Sequence, residues 1–213
     1  MTTSSTKSMP QEKPAKLGRP KGSSKDKTLK RLFIESRKLF AAKGFAQTTF
    51  KDIGKALGIS HAAIYSYFPD KKSLYVETIK QTQAFLLPHY RLAYEQQSDL
   101  MGRLSAIFRA MAKAHDEDES ITGLLASVPI EMRRHAELCE AFFEQEDQVM
   151  VILRQMVEEA KTAGEIDESY PTESVLTALF GAGVGVALFH YGTYQENLTE
   201  KMEILITLLS PKV

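Results

Sequence analysis

The stretch that decides the fold runs Thr49-Phe50-Lys51-Asp52-Ile53-Gly54-Lys55-Ala56-Leu57-Gly58-Ile59-Ser60-His61-Ala62-Ala63-Ile64-Tyr65-Ser66-Tyr67-Phe68. Thr49 followed three residues later by Asp52 has the form of a capping box, with Asp in place of Glu or Gln. Ile53, Ala56 and Leu57 give the helix that follows one apolar side. Gly58 stops it, because a left-handed residue suits that place. Ile59 leads to Ser60, the cap of a short helix over about 61–67. Ile64 and Phe68 lie four apart on its inward side, and Pro69-Asp70 ends it.

Working upstream, Ser24 or Asp26 can cap a helix that runs to about Lys43, with Leu29, Leu32, Phe33 and Phe40 on one stripe and Ser36 filling a gap in it. Gly44 fits the position after its last turn. Helix, glycine-containing turn, short helix is the helix-turn-helix arrangement, whose second helix enters the major groove of DNA with its N-terminal residues against the bases. Those residues are His61, Ala62 and Ala63. Thr49, Tyr65, Tyr67 and Lys71 carry hydroxyl or ammonium donors suited to phosphates. Phe40, Phe45, Ile53, Ile64 and Phe68 read as core.

Residues 1–26 are rich in Lys, Ser, Thr, Gly and Pro and read as a disordered basic arm. Within it, Leu17-Gly18-Arg19-Pro20-Lys21-Gly22 resembles half of an AT-hook, and Arg19 and Lys21 suit a narrow A·T-rich minor groove. A solubilising tail is the alternative. Residues 1–80 hold 17 of the 27 Lys and Arg but only 6 of the 27 Asp and Glu, a surplus of 11 positive charges. Residues 81–213 carry the opposite surplus, so the zero net charge hides a basic end on an acidic body. That is the footprint of a chain that docks one end on a polyanion; a solvated asymmetry is the bland reading.

The stretch Leu39-Phe40-Ala41-Ala42-Lys43-Gly44-Phe45, with Thr48-Thr49, Ile53-Gly54, Leu57-Gly58-Ile59-Ser60, Ile64-Tyr65, Tyr67-Phe68, Lys71 and Leu74, resembles the DNA-binding domain of the TetR/AcrR family of bacterial transcriptional regulators. The likeness covers about residues 28–74. It implies phosphate contacts by Thr49, Tyr65, Tyr67 and Lys71, base contacts by His61, Ala62 and Ala63, and a place for Ser60 among the DNA-binding residues. The family often has Lys or Arg at His61, Thr at Ala63, His at Ser66 and Ala at Gly54. Two alanines at the reading edge leave thymine methyls as their natural contact, so shape and the Arg19 arm are expected to carry more of the recognition.

From about Asp70 onward the helical period persists without a strand pattern. A long helix starts near Lys71, and Pro88 is expected to kink or end it. Ser98 reads as the cap of the next helix, Asp116-Glu117-Asp118-Glu119 as a solvated loop, Ser120 as a further cap and Pro129 as an interruption. One helix is expected over about Ala136–Ala163, then helices over 172–190 and 199–209. The expected architecture is all-α, with about nine helices: an arm over 1–26, a helix-turn-helix domain over 27–72 and a helical effector and dimerisation domain over 73–213. The resemblance implies a two-fold interface between the last two helices, with Gly181, Gly185, Leu198, Met202, Leu205 and Leu209 as the candidate seam. A seam packed within one subunit is the alternative. The resemblance also implies a ligand cavity, with Phe85, His89, Tyr90, Phe108, Met111, His115, Phe142, Phe143, Phe180 and Phe189 as candidate lining for a hydrophobic or aromatic molecule.

Cys139 alone excludes an intrachain disulfide and a multi-cysteine metal site. The N-terminus has no apolar signal region, and the run Val175–Phe189 falls short of a membrane span, so a cytoplasmic, non-membrane protein is expected. Gly181-Ala182-Gly183-Val184-Gly185 lacks the third glycine and the preceding strand of a dinucleotide loop. His135 and Cys139 lie four apart, but nothing supplies a third ligand. No cofactor, metal or catalytic residue is expected. The resulting reading is a homodimeric repressor on a palindromic double-stranded DNA operator, released by a small hydrophobic effector. An effector-independent architectural DNA-binding protein and, further off, a helical-bundle enzyme are the alternatives.

Overall fold

The caps anticipated around residues 49–60 define the first turn of the architecture. In the computed structural model, which describes residues 21–143, 148–193 and 197–210, α1 (Lys21–Gln47), α2 (Phe50–Leu57) and α3 (His61–Tyr65) form the N-terminal unit. Gly44, at φ 75° and ψ 173°, breaks the helical backbone near the end of α1. Thr49 and Asp52 exchange both bonds of the capping box, Gly58 adopts φ 70° after α2, and the Ser60 hydroxyl accepts from the amide of Ala63. Described α1 begins at Lys21, upstream of the expected Ser24 or Asp26 cap. Gly22 costs a helix only about 1 kcal/mol relative to alanine, which does not break it.

The body follows as α4 (Lys71–Gln96), α5 (Leu100–Glu117), α6 (Ser120–Arg134), α7 (Ala136–Phe143), α8 (Gln148–Thr162), α9 (Thr172–Thr193) and α10 (Leu198–Leu209). The described residues thus form an all-α fold of ten helices. Pro88 and Pro129 both lie inside helices, α4 and α6, rather than ending them. A proline removes one intrahelical bond, and buried residues on both sides of Pro88, Leu86 and Tyr90 among them, hold α4 together across it. Asp99, not Ser98, caps α5, accepting from the amide of Gly102. Asp116 and Glu117 belong to the last turn of α5, so the acidic loop is shorter than expected. The single helix expected over 136–163 is two elements, α7 and α8.

Two hydrophobic cores organise the chain. One gathers Leu32, Phe40, Phe45, Ile53 and Ile64 from the N-terminal unit with Leu74, Tyr75 and Ile79 of α4, Leu124 of α6 and Leu138 of α7. The other joins the second half of α4 to α5, α8, α9 and α10, through Leu86, Leu104, Phe108, Leu153, Met156, Leu176 and Met202 among others. Leu125 of α6 packs against both. Helices α4 and α6 therefore run through both cores and tie the head to the body.

Candidate functional site

The reading end is the surface formed by α2 and α3. His61 and Ala62 are exposed, Ala63 is half-buried, and Ile64 points into the core. Gly54 sits where a side chain would clash: a Cβ there would lie 2.8 Å from the Ile59 carbonyl and 3.2 Å from the His61 amide. The missing methyl lets α2 close onto the turn that presents His61. Tyr65 is 57% exposed, its ring edge-on to Phe50 at 4.8 Å between centroids. Tyr67 is half-buried, with the Lys25 ammonium 5.8 Å from its ring centre. Lys51 and Lys55 are exposed on α2, positive positions that the apolar-side reading of this helix passed over. Ala56, assigned to the buried side, is exposed, and Phe50 and Gly54 take that side instead.

Two of the anticipated phosphate donors have partners inside the protein. The Thr49 hydroxyl donates to Asp52 Oδ2 at 2.6 Å while accepting from the Asp52 amide at 3.1 Å. The Thr49 hydroxyl, together with the Thr49 amide, which donates to the same oxygen at 3.0 Å, holds the Asp52 carboxyl below its ordinary value. The Lys71 ammonium donates to the carbonyls of Phe45 at 2.7 Å and Ala46 at 3.1 Å. Burial pulls Lys71 below the usual lysine value against the field of Glu131. Lys71 thus closes the end of α1 onto α4. Arg19 lies outside the described residues, as does the side chain of Lys21.

Close contacts join α1 to α6 and the turn before it. The Arg37 guanidinium donates to Asp118 Oδ2 at 2.7 Å and to the Ser120 hydroxyl at 3.0 Å. Gly123 of α6 faces Ala41 and Tyr191, and a Cβ there would lie 2.9 Å from Ala41 Cβ and 2.5 Å from the Tyr191 ring. A Cβ on Gly44 would meet Glu131 Oε1 at 2.9 Å.

Behind α6 lies a partly open cavity of about 200 Å³. Leu86 and Tyr90 of α4, Met111 of α5 and Ile121, Thr122, Leu125 and Ala126 of α6 form part of its wall. Met150 and Leu153 of α8 and Phe180, Val184 and Ala187 of α9 complete it. Of the ten candidates from sequence, Tyr90, Met111 and Phe180 line this space. Phe108 is fully buried beside it, 6.4 Å from the Phe180 ring, in room left by Gly183. His115 stands one step behind the wall, its Nδ1 3.0 Å from the Thr122 hydroxyl. Phe85 and His89 are exposed on α4, Phe142 packs on the head core, and Phe189 is 74% exposed on α9. None of these four is a lining residue. The Phe143 side chain lies outside the described residues. Aromaticity misled the reading: the lining is chiefly aliphatic, and the offsets 0, 4 and 7 of Phe180, Val184 and Ala187 are the signal that marks it.

The outer face of α9 and α10 is apolar and uncovered. Gly181 and Gly185 have open space beside their Cα atoms. Phe189 and Leu208, the latter 76% exposed, flank a groove of about 390 Å³ together with Ile204 and Leu205. Leu198 and Met202, expected in this seam, are instead fully buried in the body core, while Leu205 and Leu209 are half-buried. The leucine stripe turns inward because Leu198, Met202 and Ile206 must cover α5 and α9; Ile204 and Leu208 occupy the outer side. By length and mean hydropathy (1.6) α9 could cross a membrane, a correction to the reading that no segment is apolar enough. Among the described residues, no three His, Cys, Asp or Glu side chains are grouped to hold a metal ion. His135 lies 3.5 Å from Glu131 and 3.7 Å from Glu137, and its ring packs on Phe45.

The family model for bacterial regulatory proteins of the tetR family matches residues 35–78, which span the end of α1, both helices of the reading unit and the start of α4. That stretch is a TetR-family DNA-binding domain. The chain that carries it is a DNA-binding transcriptional regulator. Over 42 residues, 20% of its length and 23% of the relative's, it is 43% identical to the biofilm operon icaADBC HTH-type negative transcriptional regulator IcaR of Staphylococcus aureus (strain Newman). Over 146 residues, 67% of each chain, it is 23% identical to the nucleoid occlusion factor SlmA of Haemophilus influenzae (strain PittGG). Its fold is similar to that of the transcriptional regulator FadR from Bacillus subtilis, solved with stearoyl-CoA, at a TM-score of 0.71 and 17% identity over 87% of this chain and 99% of that one.

Proposed function

We propose that this chain is a cytoplasmic, homodimeric repressor that holds a two-fold symmetric operator and lets it go when an apolar effector fills the cavity. The observation that carries this reading is the position of α6, which walls the cavity with Ile121, Thr122, Leu125 and Ala126 and meets α1 through Gly123 and the neighbouring Ser120. An occupant that moves α6 also moves the head. Coupling then equals the difference in effector affinity between the DNA-bound and the released arrangements. An enzyme reading has no observation in its favour: among the described residues, the cavity wall carries no acid, base or nucleophile beyond the Tyr90 and Thr122 hydroxyls.

In this reading residues 27–72 are the DNA-binding domain and 73–213 the effector and dimer body. His61, Ala62 and Ala63 face base edges, and Ser60, Tyr65 and Tyr67 serve phosphates. Lys51 and Lys55 join them through long-range attraction. Thr49 and Lys71 shape the surface more than they touch DNA, and Arg19 and Lys21 extend contact into the minor groove. The two-fold seam runs along Gly181, Gly185, Phe189, Ile204 and Leu208, with Leu205 and Leu209 at its margin. Two-fold symmetry of the protein matches a palindromic site. That seam also accounts for the apolar outer side of α9 without a membrane.

Footprinting of the purified chain on the DNA flanking its own gene tests the proposal. A protected, two-fold symmetric site is the expected result. Binding that shows no sequence preference and vanishes as salt rises would instead support an architectural DNA-binding protein.

A further inference from the structure

We infer that the cavity takes an uncharged, ring-sized molecule carrying one hydrogen-bonding group, and that Thr122 reads that group. This rests on the cavity being the effector site. Three observations carry it. The first is size: an apolar protein cavity of about 150 Å³ holds benzene, and this one is about 200 Å³. A stearoyl chain, with about three times the carbon count of benzene, would have to extend out of it. The second is charge: among the described residues, no Lys, Arg, His, Asp or Glu lines the wall. An ionised carboxylate or ammonium placed there would lose its water without gaining a counter-charge.

The third is the Thr122 hydroxyl. Thr122 lines the cavity from a buried position, and its hydroxyl is held by His115 Nδ1 at 3.0 Å. Whichever imidazole nitrogen holds the proton, this bond uses one hydrogen-bonding capacity of the hydroxyl and leaves another for the cavity. His115 is itself braced by the ring of His190, edge-on at 4.9 Å between centroids, and His190 is buried. His115 is therefore a positioning residue: it sets the direction in which Thr122 presents its hydroxyl. A wholly apolar ligand would leave that hydroxyl unpaired toward the cavity, whereas a phenol or a small ketone would satisfy it.

Calorimetric titration of the full-length protein with four probes tests this: 4-propylphenol, propylbenzene, 4-propylbenzoate and stearoyl-CoA. The phenol is expected to bind at least tenfold more tightly than the benzoate and than stearoyl-CoA. Thr122→Val should weaken the phenol about tenfold, the value of one hydrogen bond, and leave propylbenzene within twofold. His115→Ala should do the same, with partial rescue by His115→Asn, which keeps a hydrogen-bonding atom near Nδ1. Equal weakening of phenol and propylbenzene by Thr122→Val would overturn the role of Thr122. Tighter binding of the benzoate or stearoyl-CoA, abolished by the cavity-filling Ala126→Phe, would overturn the ligand class while keeping the cavity as the site. Binding insensitive to Ala126→Phe, or no binding by any probe, would remove the cavity itself. Val184→Phe replaces Ala126→Phe if the latter does not fold.

Discussion

The ammonium of Lys71 lies 2.7 Å from the carbonyl oxygen of Phe45 and 4.4 Å from the centre of the Phe45 ring. One side chain at the start of α4 thus satisfies the carbonyls that the end of α1 leaves open. Lysine near a helix end is favourable for that reason. Lys71→Ala is expected to cost about 1–3 kcal/mol in urea denaturation, the range for hydrogen bonds to a charged group. Affinity for DNA should fall with the geometry of the head, while the slope of log K against log salt stays unchanged. A slope reduced by about 1 would show instead that Lys71 neutralises a phosphate.

The Arg37–Asp118 bridge has a pH signature. Burial raises the Asp118 carboxyl, but the Ser120 hydroxyl and Arg37 outweigh burial and hold it below the ordinary 3.8. A depressed carboxylate adds stability above its unfolded value and loses it as pH falls through the folded one. The wild-type protein should therefore lose this contribution only below about pH 4, whereas Asp118→Asn lacks it at every pH. Stability curves for the two proteins should lie apart at pH 7 and converge in acid. Curves that stay parallel to pH 3 would remove the bridge as a source of stability.

At Gly123 the helices leave no room for a methyl. Gly123→Ala would force α6 away from Ala41 and Tyr191, and overpacking of this kind costs about 1–3 kcal/mol. The expected result is a lower Tm together with altered operator affinity in the absence of any effector. An unchanged Tm with unchanged DNA binding would show that the junction relaxes freely.

The reassigned seam separates two kinds of leucine-rich position. Leu208→Glu, on the exposed side of α10, should shift the protein to monomer in sedimentation velocity with little loss of fold. Met202→Ala, in the fully buried core, should leave the assembly state alone and cost about 2–5 kcal/mol. A dimer that survives both Leu208→Glu and Phe189→Glu would place the interface elsewhere.

The reading unit was legible because its signals are local. Thr49, Asp52, Gly58 and Ser60 each bond a partner within four residues, and each cap forms as its spacing implies. The body was legible as helices but not as surfaces. Leu198 and Met202 share their stripe with Leu205, and only the packing of α10 on α5 and α9 decides which side meets the core. The cavity was hardest to find, because Thr122, Val184 and Ala187 are ordinary helix residues until four other helices enclose them. Lys71 shows the same limit: its charge suggests an anion, and its neighbour turns out to be the carbonyl of a residue 26 positions earlier.

Leu125 belongs to the wall of the cavity and packs on both cores. Under the proposed function, ligand preference and the integrity of the DNA-binding head are therefore not independently adjustable at this site. A lineage changing the cavity's occupant, or an engineer building a sensor, then has more freedom at Met150 and Val184, which line the cavity from helices outside the head. Substitutions at 125 would surface as altered DNA binding without ligand before they surfaced as altered specificity.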